Sequence, residues 1–123
     1  SYPVISLTLK GLKSNDVEDM SASMSQLMAD VFRRYRFLLS SDKLINADLL
    51  RYNKIIAEEE PKLNKALLYL CELLCRHYGK KVIVLMDEYD APMISAYVSG
   101  YYEKAVDSLV LLLSIYLQHY EFW

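Results

Sequence analysis

The stretch KVIVLMDEYDAP, residues 81–92, contains five consecutive apolar residues, Val82–Met86, that lead directly into acids. Continuous apolar runs of this length are typical of strands covered on both faces, as in parallel α/β sheets. The acids Asp87, Glu88 and Asp90 follow at once. Because ligands of such sheets bind beyond the carboxyl ends of the strands, the sequence predicts the carboxylates of Asp87 and Glu88 at a ligand-binding position.

A second strand is predicted near the start of the chain, over residues 2–9, YPVISLTL. Its proline stands near the beginning of the strand, where a missing N–H group does least harm. Side chains alternate between the two faces of a strand. We therefore expect Val4, Ser6 and Thr8 on one side and Ile5, Leu7 and Leu9 on the other.

The segment 15–78 between the two strands is predicted to be helical. Apolar residues recur at helical spacing from a cap at Asn15 to about residue 39. A second helix is expected after a cap at Asn46, and a third, which the acid run Glu58–Glu60 should begin, ends at Gly79. A helical connection is what a parallel, right-handed crossover requires.

Beyond the acids, we predict C-terminal helices over residues 92–118. The residue before a proline avoids helical dihedral angles, so a helix is expected to begin near Pro92. Gly100 is predicted to interrupt it. The expected fold class is α/β, a partial three-layer fold of two parallel strands with mainly helical connections.

The composition and charge indicate a globular domain and carry no signal for a nucleic-acid or membrane partner. The chain has 123 residues, enough for one compact domain, and a formal net charge of −2 with no basic block that would indicate nucleic-acid binding. Its apolar runs are too short to cross a bilayer. Cys71 and Cys75, four residues apart in a helical pattern, fit two reduced core thiols better than a metal pair, and we expect a cytoplasmic location.

The acids at the strand end suit phosphoryl transfer. Adjacent carboxylates resist joint ionisation unless a cation compensates them, and Mg²⁺ prefers hard oxygen ligands. One acid can hold the magnesium while a second orients and deprotonates the attacking water. An Asp-Glu pair after an apolar strand is the pattern called Walker B. On the pair alone, an ordinary acidic turn in which Asp90 caps the next helix remains an alternative.

Longer strings of the sequence favour the Walker B interpretation over an ordinary acidic turn. The strings KKVIVLMDEYDAPM (80–93) and SAYVSGYYEKAVDSLVLLL (95–113), together with YPVISLTLKGL (2–12), resemble the AAA-ATPase-like family of bacterial and archaeal proteins. Members carry a DEYD-P motif at the Walker B strand, and many continue into a PD-(D/E)XK nuclease-type domain. The resemblance covers nearly the whole chain, and its most specific part is residues 82–102.

The resemblance implies a role for two residues and leaves three without one. Asp87 matches the magnesium-coordinating acid, and so the residue that binds the Mg²⁺–ATP cofactor. Glu88 matches the catalytic glutamate. Tyr89, Asp90 and Pro92 match the rest of the family signature.

The family's phosphate-binding loop, of the form G-K-S/T after a first strand, is absent from this sequence. The string Gly79–Lys81 does not replace it, because Lys81 stands where Ser or Thr is needed and the glycine follows a helix. Since the sequence also begins at Ser1 rather than Met, we expect a fragment of a P-loop NTPase domain. ATP and Mg²⁺ would bind in the full-length parent, and the chain alone would bind them weakly and be inactive.

The expected partners follow from the same interpretation. The rest of the ATPase domain should complete the sheet, and the open edge of Val82–Met86 invites self-association. No membrane partner is expected, and nucleic acid is suggested only by family analogy. Two other functions remain open: a non-catalytic protein-interaction domain, and a metal site of Asp87, Glu88 and Asp90 for hydrolysis without nucleotide.

Overall fold

The structure is a computed structural model that describes residues 2–9, 17–60, 65–87 and 100. The described elements, in chain order, are the strand β1 (Val4–Thr8), the helix α1 (Val17–Arg34), the 3-10 helix η1 (Arg36–Ser40), the helices α2 (Asn46–Ile56) and α3 (Ala66–Tyr78), and the strand β2 (Ile83–Asp87). The predicted α/β fold class with two parallel strands is confirmed.

The two strands form a parallel pair whose register runs from Val4 opposite Ile83 to Thr8 opposite Asp87. Backbone hydrogen bonds extend the pairing at both ends. The N–H of Ile83 donates to the carbonyl of Pro3 at 2.9 Å, and the N–H of Leu9 donates to the carbonyl of Asp87 at 2.9 Å. The helical connection therefore returns the chain to the same sheet in the same direction, as predicted.

The two faces of this sheet differ in burial. Ile5, Leu7 and Val84 are buried in the core shared with the helices, whereas Val4 is 42% exposed and Leu85 is 53% exposed. The prediction that Val82–Met86 is covered on both faces is therefore wrong for the face that carries Leu85. An apolar run predicts that a strand is buried on average, but it does not show which face of the sheet is covered by another layer of the fold.

The core lies between the sheet and the three helices. Phe32 of α1 and Tyr52 of α2 are fully buried, with ring centroids 4.9 Å apart. The Tyr52 hydroxyl donates a hydrogen bond to the Phe32 carbonyl, so its polar atom is satisfied inside the core. The largest fully buried side chains come from the β1 segment, η1 and the helices α1, α2 and α3: Ile5, Leu9, Met28, Phe32, Leu38, Tyr52, Ile55, Leu67, Leu70, Leu73 and Leu74.

Two helix boundaries differ from the predicted ones. The helix α1 ends at Arg34 rather than near residue 39, because the chain tightens into η1. The N-cap of α2 is Ile45, not Asn46. The Asp48 carboxylate accepts a hydrogen bond from the Ile45 N–H group at 3.1 Å. A carboxylate at the third helical position thus satisfies the first free donor, which is half of a capping box.

The acid run Glu58–Glu60 follows the end of α2, whereas α3 begins at Ala66. Glu58 has a φ of 59°, in the left-handed region. The N–H of Glu59 donates to the Lys54 carbonyl at 2.9 Å, and that of Glu58 to the Ile55 carbonyl at 3.1 Å. This is a Schellman motif, in which the left-handed position usually holds glycine. At the end of α3 the same position is Gly79, with a φ of 64°, as predicted.

Several predictions fall outside the described residues. They include the helix cap at Asn15 and the C-terminal helices over 92–118. Both cysteines are described and are free thiols, as predicted, with Cys71 buried. Burial raises the pKa of the Cys71 thiol to about 12, so it stays protonated in the core.

None of the helices in the described ranges combines the length and the apolarity needed to cross a bilayer.

Candidate functional site

The carboxyl ends of the two strands lie side by side. β1 ends at Thr8 and β2 at Asp87, and these two residues are paired in the register. The hydrogen bond from the Leu9 N–H to the Asp87 carbonyl, at 2.9 Å, holds the backbone of Asp87 against β1. The end of β2 is therefore anchored on its β1 side.

The side chain of Asp87 belongs to the exposed face of the sheet. In a parallel pair, residues in register lie on the same side, and neighbours along each strand alternate. Asp87 therefore shares its face with Thr8 and Leu85, and all three are exposed. The preceding buried residue, Val84, anchors the strand in the core. A fixed backbone and an accessible carboxylate are what binding a hydrated cation requires.

Of the predicted site residues, only Asp87 is described. Glu88, Tyr89, Asp90 and Pro92 lie outside the described residues. Within the described ranges, no three His, Cys, Asp or Glu side chains gather closely enough to hold a metal ion. The structure therefore places Asp87 at the carboxyl edge of the sheet, and its role as a magnesium ligand stays a prediction.

Thr8 is a polar residue of this edge that the sequence interpretation did not include in the site. Its hydroxyl lies on the same face as the Asp87 carboxylate because the two residues are in register. A hydroxyl there can hydrogen-bond a metal-bound water or a phosphate oxygen. Thr8 is identified by the strand register, which is known only when the pairing of β1 with β2 is known.

A second acid, Asp48, lies in a very different environment between α2 and α3. It is 8% exposed. The Tyr69 hydroxyl donates to one carboxylate oxygen at 2.6 Å, and Arg76 donates to the other at 2.8 Å. The same Arg76 nitrogen also donates to the Lys43 carbonyl at 3.3 Å. The guanidinium of Arg51 lies 4.2 Å from the centroid of the Tyr69 ring, at cation–π distance.

The electrostatics of this cluster stabilise a charged Asp48. Burial raises the pKa of the Asp48 carboxyl, but the hydrogen bonds from Tyr69, the Ile45 N–H and Arg76, with the positive charge of Arg76, outweigh burial and lower it. Burial and the bond to Asp48 raise the pKa of the Tyr69 hydroxyl, so it remains a proton donor. Both carboxylate oxygens are thus occupied by protein donors, which indicates a structural role.

The sequence interpretation missed this cluster because it looked for apolar residues in α2. Among the residues of α2, the apolar Leu50 is 68% exposed, whereas Tyr52 is fully buried. Asp48, Tyr52 and Ile55 are the buried residues of α2. Their spacing of four and three residues places them on one helical face. The same spacing can be found in the sequence if a polar residue such as Asp48 is counted as a candidate for burial.

These features define a class of protein: an α/β protein with an exposed acid at the carboxyl end of an apolar strand, where such sheets bind ligands. A family model described as Predicted AAA-ATPase matches residues 1–121. The match spans nearly the whole sequence, and the chain belongs to the AAA-ATPase-like family. No curated protein and no solved structure matches the chain at a significant level.

Proposed function

We propose that Asp87 and Glu88 supply the magnesium-binding acid and the water-activating acid of an ATP-hydrolysing site. The observation that carries the proposal is the position of Asp87, exposed at the carboxyl end of β2 with its backbone bonded to β1. Membership of the AAA-ATPase-like family supports it, because ATP hydrolysis needs acids at such a strand end.

The two acids have separate tasks in this proposal. Asp87 holds a hydrated magnesium ion, which prefers one or two carboxylates and keeps several waters. When bound, the magnesium neutralises charge on the β and γ phosphates. Glu88 orients a water and takes its proton as the water oxygen bonds to the γ-phosphorus. The bond from that phosphorus to the bridging oxygen breaks, and ADP leaves with that oxygen.

We further propose that the phosphate-binding loop is supplied from outside these 123 residues, because no G-x-x-x-x-G-K-S/T string occurs among them. Without backbone N–H groups and a lysine to hold the phosphates, Asp87 has no triphosphate to act on. On this proposal the chain is a fragment of the ATPase domain that binds ATP weakly and does not hydrolyse it alone.

The sheet geometry supports a proposal about partners. Within the described residues, β2 pairs only with β1, so its other edge is not paired by a described strand. We propose that a strand from the rest of the ATPase domain occupies this edge, and that a second copy does so when that domain is missing. Analytical ultracentrifugation tests the second part: a monomer at all concentrations contradicts it.

The test of the proposed function uses the complete product of the gene and the variant Glu88→Gln. We expect ATP binding to persist and hydrolysis to fall by orders of magnitude, because the amide cannot accept the proton of the water. Phosphate release and binding of a fluorescent ATP analogue measure the two effects. The matched control is Glu59→Gln, the same change at an exposed position, which should leave hydrolysis unchanged. Normal turnover by Glu88→Gln excludes Glu88 from the role.

A further inference from the structure

A cluster of aromatic side chains lies at the amino end of the sheet, opposite the end that carries Asp87. This aromatic cluster consists of Tyr35, Phe37, His77 and Tyr78. Phe37 is at its centre, with ring centroids 6.3 Å from Tyr35, 5.4 Å from His77 and 6.1 Å from Tyr78. The His77 and Tyr78 centroids are 4.8 Å apart. These are distances of direct ring contact.

Two rings of the aromatic cluster are held in place by hydrogen bonds. The Tyr35 hydroxyl donates to the carbonyl of Val4, at the start of β1, at 2.7 Å. The Nδ1 atom of His77 lies 2.7 Å from the Ser41 hydroxyl oxygen. The two other rings are widely open to solvent, Phe37 at 44% and Tyr78 at 46%. The aromatic cluster is therefore a partly immobilised surface that offers two accessible rings.

Positive charge accompanies these rings. The segments that carry the aromatic cluster, residues 34–37 and 77–81, contain four basic residues and no acid: Arg34, Arg36, Lys80 and Lys81. Arg34 and Arg36 flank Tyr35 and are exposed. Arg33 differs, since it bonds the Asp30 carboxylate at 2.7 Å and the Ile56 carbonyl at 2.9 Å.

We propose that the aromatic cluster with Arg34 and Arg36 binds single-stranded nucleic acid. The exposed rings of Phe37 and Tyr78 provide faces on which unpaired bases stack, and the two arginines contact the phosphates between them. Exposed aromatic rings beside cationic side chains are the combination that sequence-independent single-strand binding uses. Arginine suits the phosphates because its planar guanidinium can bond two oxygens at once.

The position of the cluster favours bases over a peptide. Peptides are recognised mostly at free strand edges or in grooves between elements. The two exposed rings are instead carried by a 3-10 helix and by the last residue of α3. Base stacking needs only an accessible ring face and a nearby cation. This surface is at the end of the sheet away from Asp87, so it does not depend on the proposed ATP site.

The test measures binding of this chain to a fluorescein-labelled dT20 oligonucleotide by fluorescence anisotropy at low salt. We expect Phe37→Ala and Tyr78→Ala each to weaken binding about tenfold, because each removes one stacking face. Phe37→Tyr should bind normally, since the ring remains. Arg34→Gln with Arg36→Gln should weaken binding and reduce the slope of log Kd against log salt by about 1.4, since each phosphate contact on a single strand contributes about 0.7. Circular dichroism confirms that each variant is folded.

The matched controls lie on α2, which carries none of the four rings of the aromatic cluster. Leu50→Ala removes an apolar side chain that is 68% exposed, more than Phe37 or Tyr78, and Lys54→Gln removes an exposed positive charge. Neither should change binding. The proposal is overturned if the wild type does not bind dT20, or if the Phe37 and Tyr78 variants bind as the wild type does. It is also overturned if heparin or poly-glutamate displaces dT20 as well as unlabelled dT20 does, because these polymers carry charge without bases.

Discussion

Asp48 and Asp87 are acids in two regions of this molecule, and their surroundings assign them different roles. Asp48 lies between α2 and α3, where Tyr69, Arg76 and the Ile45 N–H occupy both its carboxylate oxygens. Asp87 is exposed at the end of β2, where the Leu9 N–H donates a hydrogen bond to its backbone carbonyl. A carboxylate whose acceptors are filled by the protein stabilises the fold, whereas one on an anchored strand end is accessible to a ligand.

The largest effect is expected at Asp87. In the complete gene product, Asp87→Ala should weaken magnesium-dependent nucleotide binding by at least about tenfold, since even supporting residues of metal sites contribute that much. Titration of a fluorescent nucleotide with and without Mg²⁺ measures the change. The free energy of unfolding should stay within about 0.5 kcal/mol of the wild type, because the side chain is exposed. Equal loss of binding without Mg²⁺ would contradict the role in metal binding.

At Asp48, in contrast to Asp87, we expect a substitution to change the stability of the fold. Asp48→Ala should lower the free energy of unfolding by about 2 kcal/mol, because Tyr69 and Arg76 lose their partner. The value is below that for a fully buried pair, since the Arg76 side chain is 42% exposed. Urea denaturation monitored by circular dichroism measures it. Asp30→Ala, which breaks an exposed pair with Arg33, is the control and should cost much less. If Asp48→Ala and Asp30→Ala lowered the free energy of unfolding equally, the structural role assigned to Asp48 would be refuted.

Acid should remove the contribution of Asp48 selectively. The pKa of Asp48 in the folded protein is below its ordinary value of 3.8, so the unfolded chain takes up the proton first as pH falls. The stabilisation is fully present above the unfolded pKa and is lost as pH falls through the folded one. The difference in unfolding free energy between wild type and Asp48→Ala should therefore shrink below about pH 4. A difference independent of pH would show that Asp48 acts only by packing.

A third acid, Glu58, extends the comparison to backbone strain, and the expected change in the free energy of unfolding is smaller than at Asp48. It is exposed and stands at the left-handed position of the α2 Schellman motif, where a side chain is strained. Glu58→Gly should raise the free energy of unfolding by about 0.5–1 kcal/mol. The reciprocal change, Gly79→Ala at the end of α3, should lower it by about 1 kcal/mol. There is open space for the added methyl group there, so the effect is backbone strain alone.

Local features of the fold were predictable, and features that depend on neighbours were not. The parallel strands, the buried stripe of α3 and its end at Gly79 follow from periodicity and from glycine's access to left-handed dihedral angles. The cap of α2 was not predicted, because Asp48 satisfies the Ile45 N–H from inside the helix. The acid run after α2 resembled a helix start because sequence alone does not show that α3 begins only at Ala66.

The candidate site shows the same division. The apolar strand and the acid that follows it were predictable from the sequence, and Asp87 lies at the carboxyl edge of the sheet. The pairing of Thr8 with Asp87, the partners of Asp48 and the grouping of the aromatic cluster could not be predicted from the sequence. Each depends on residues that are far apart in the sequence and meet only in the fold; Thr8 and its register partner Asp87, for example, are 79 positions apart.

The sequence by itself determined the elements of this protein: an apolar strand followed by acids, helices with apolar stripes, and a family signature over nearly the whole chain. These depend on local periodicity and residue type, which a single chain displays directly. The tertiary structure alone decided which face of the sheet is buried, which acid is satisfied by the protein and which rings meet at the amino end. Those outcomes depend on contacts between distant segments, which are set by packing in three dimensions.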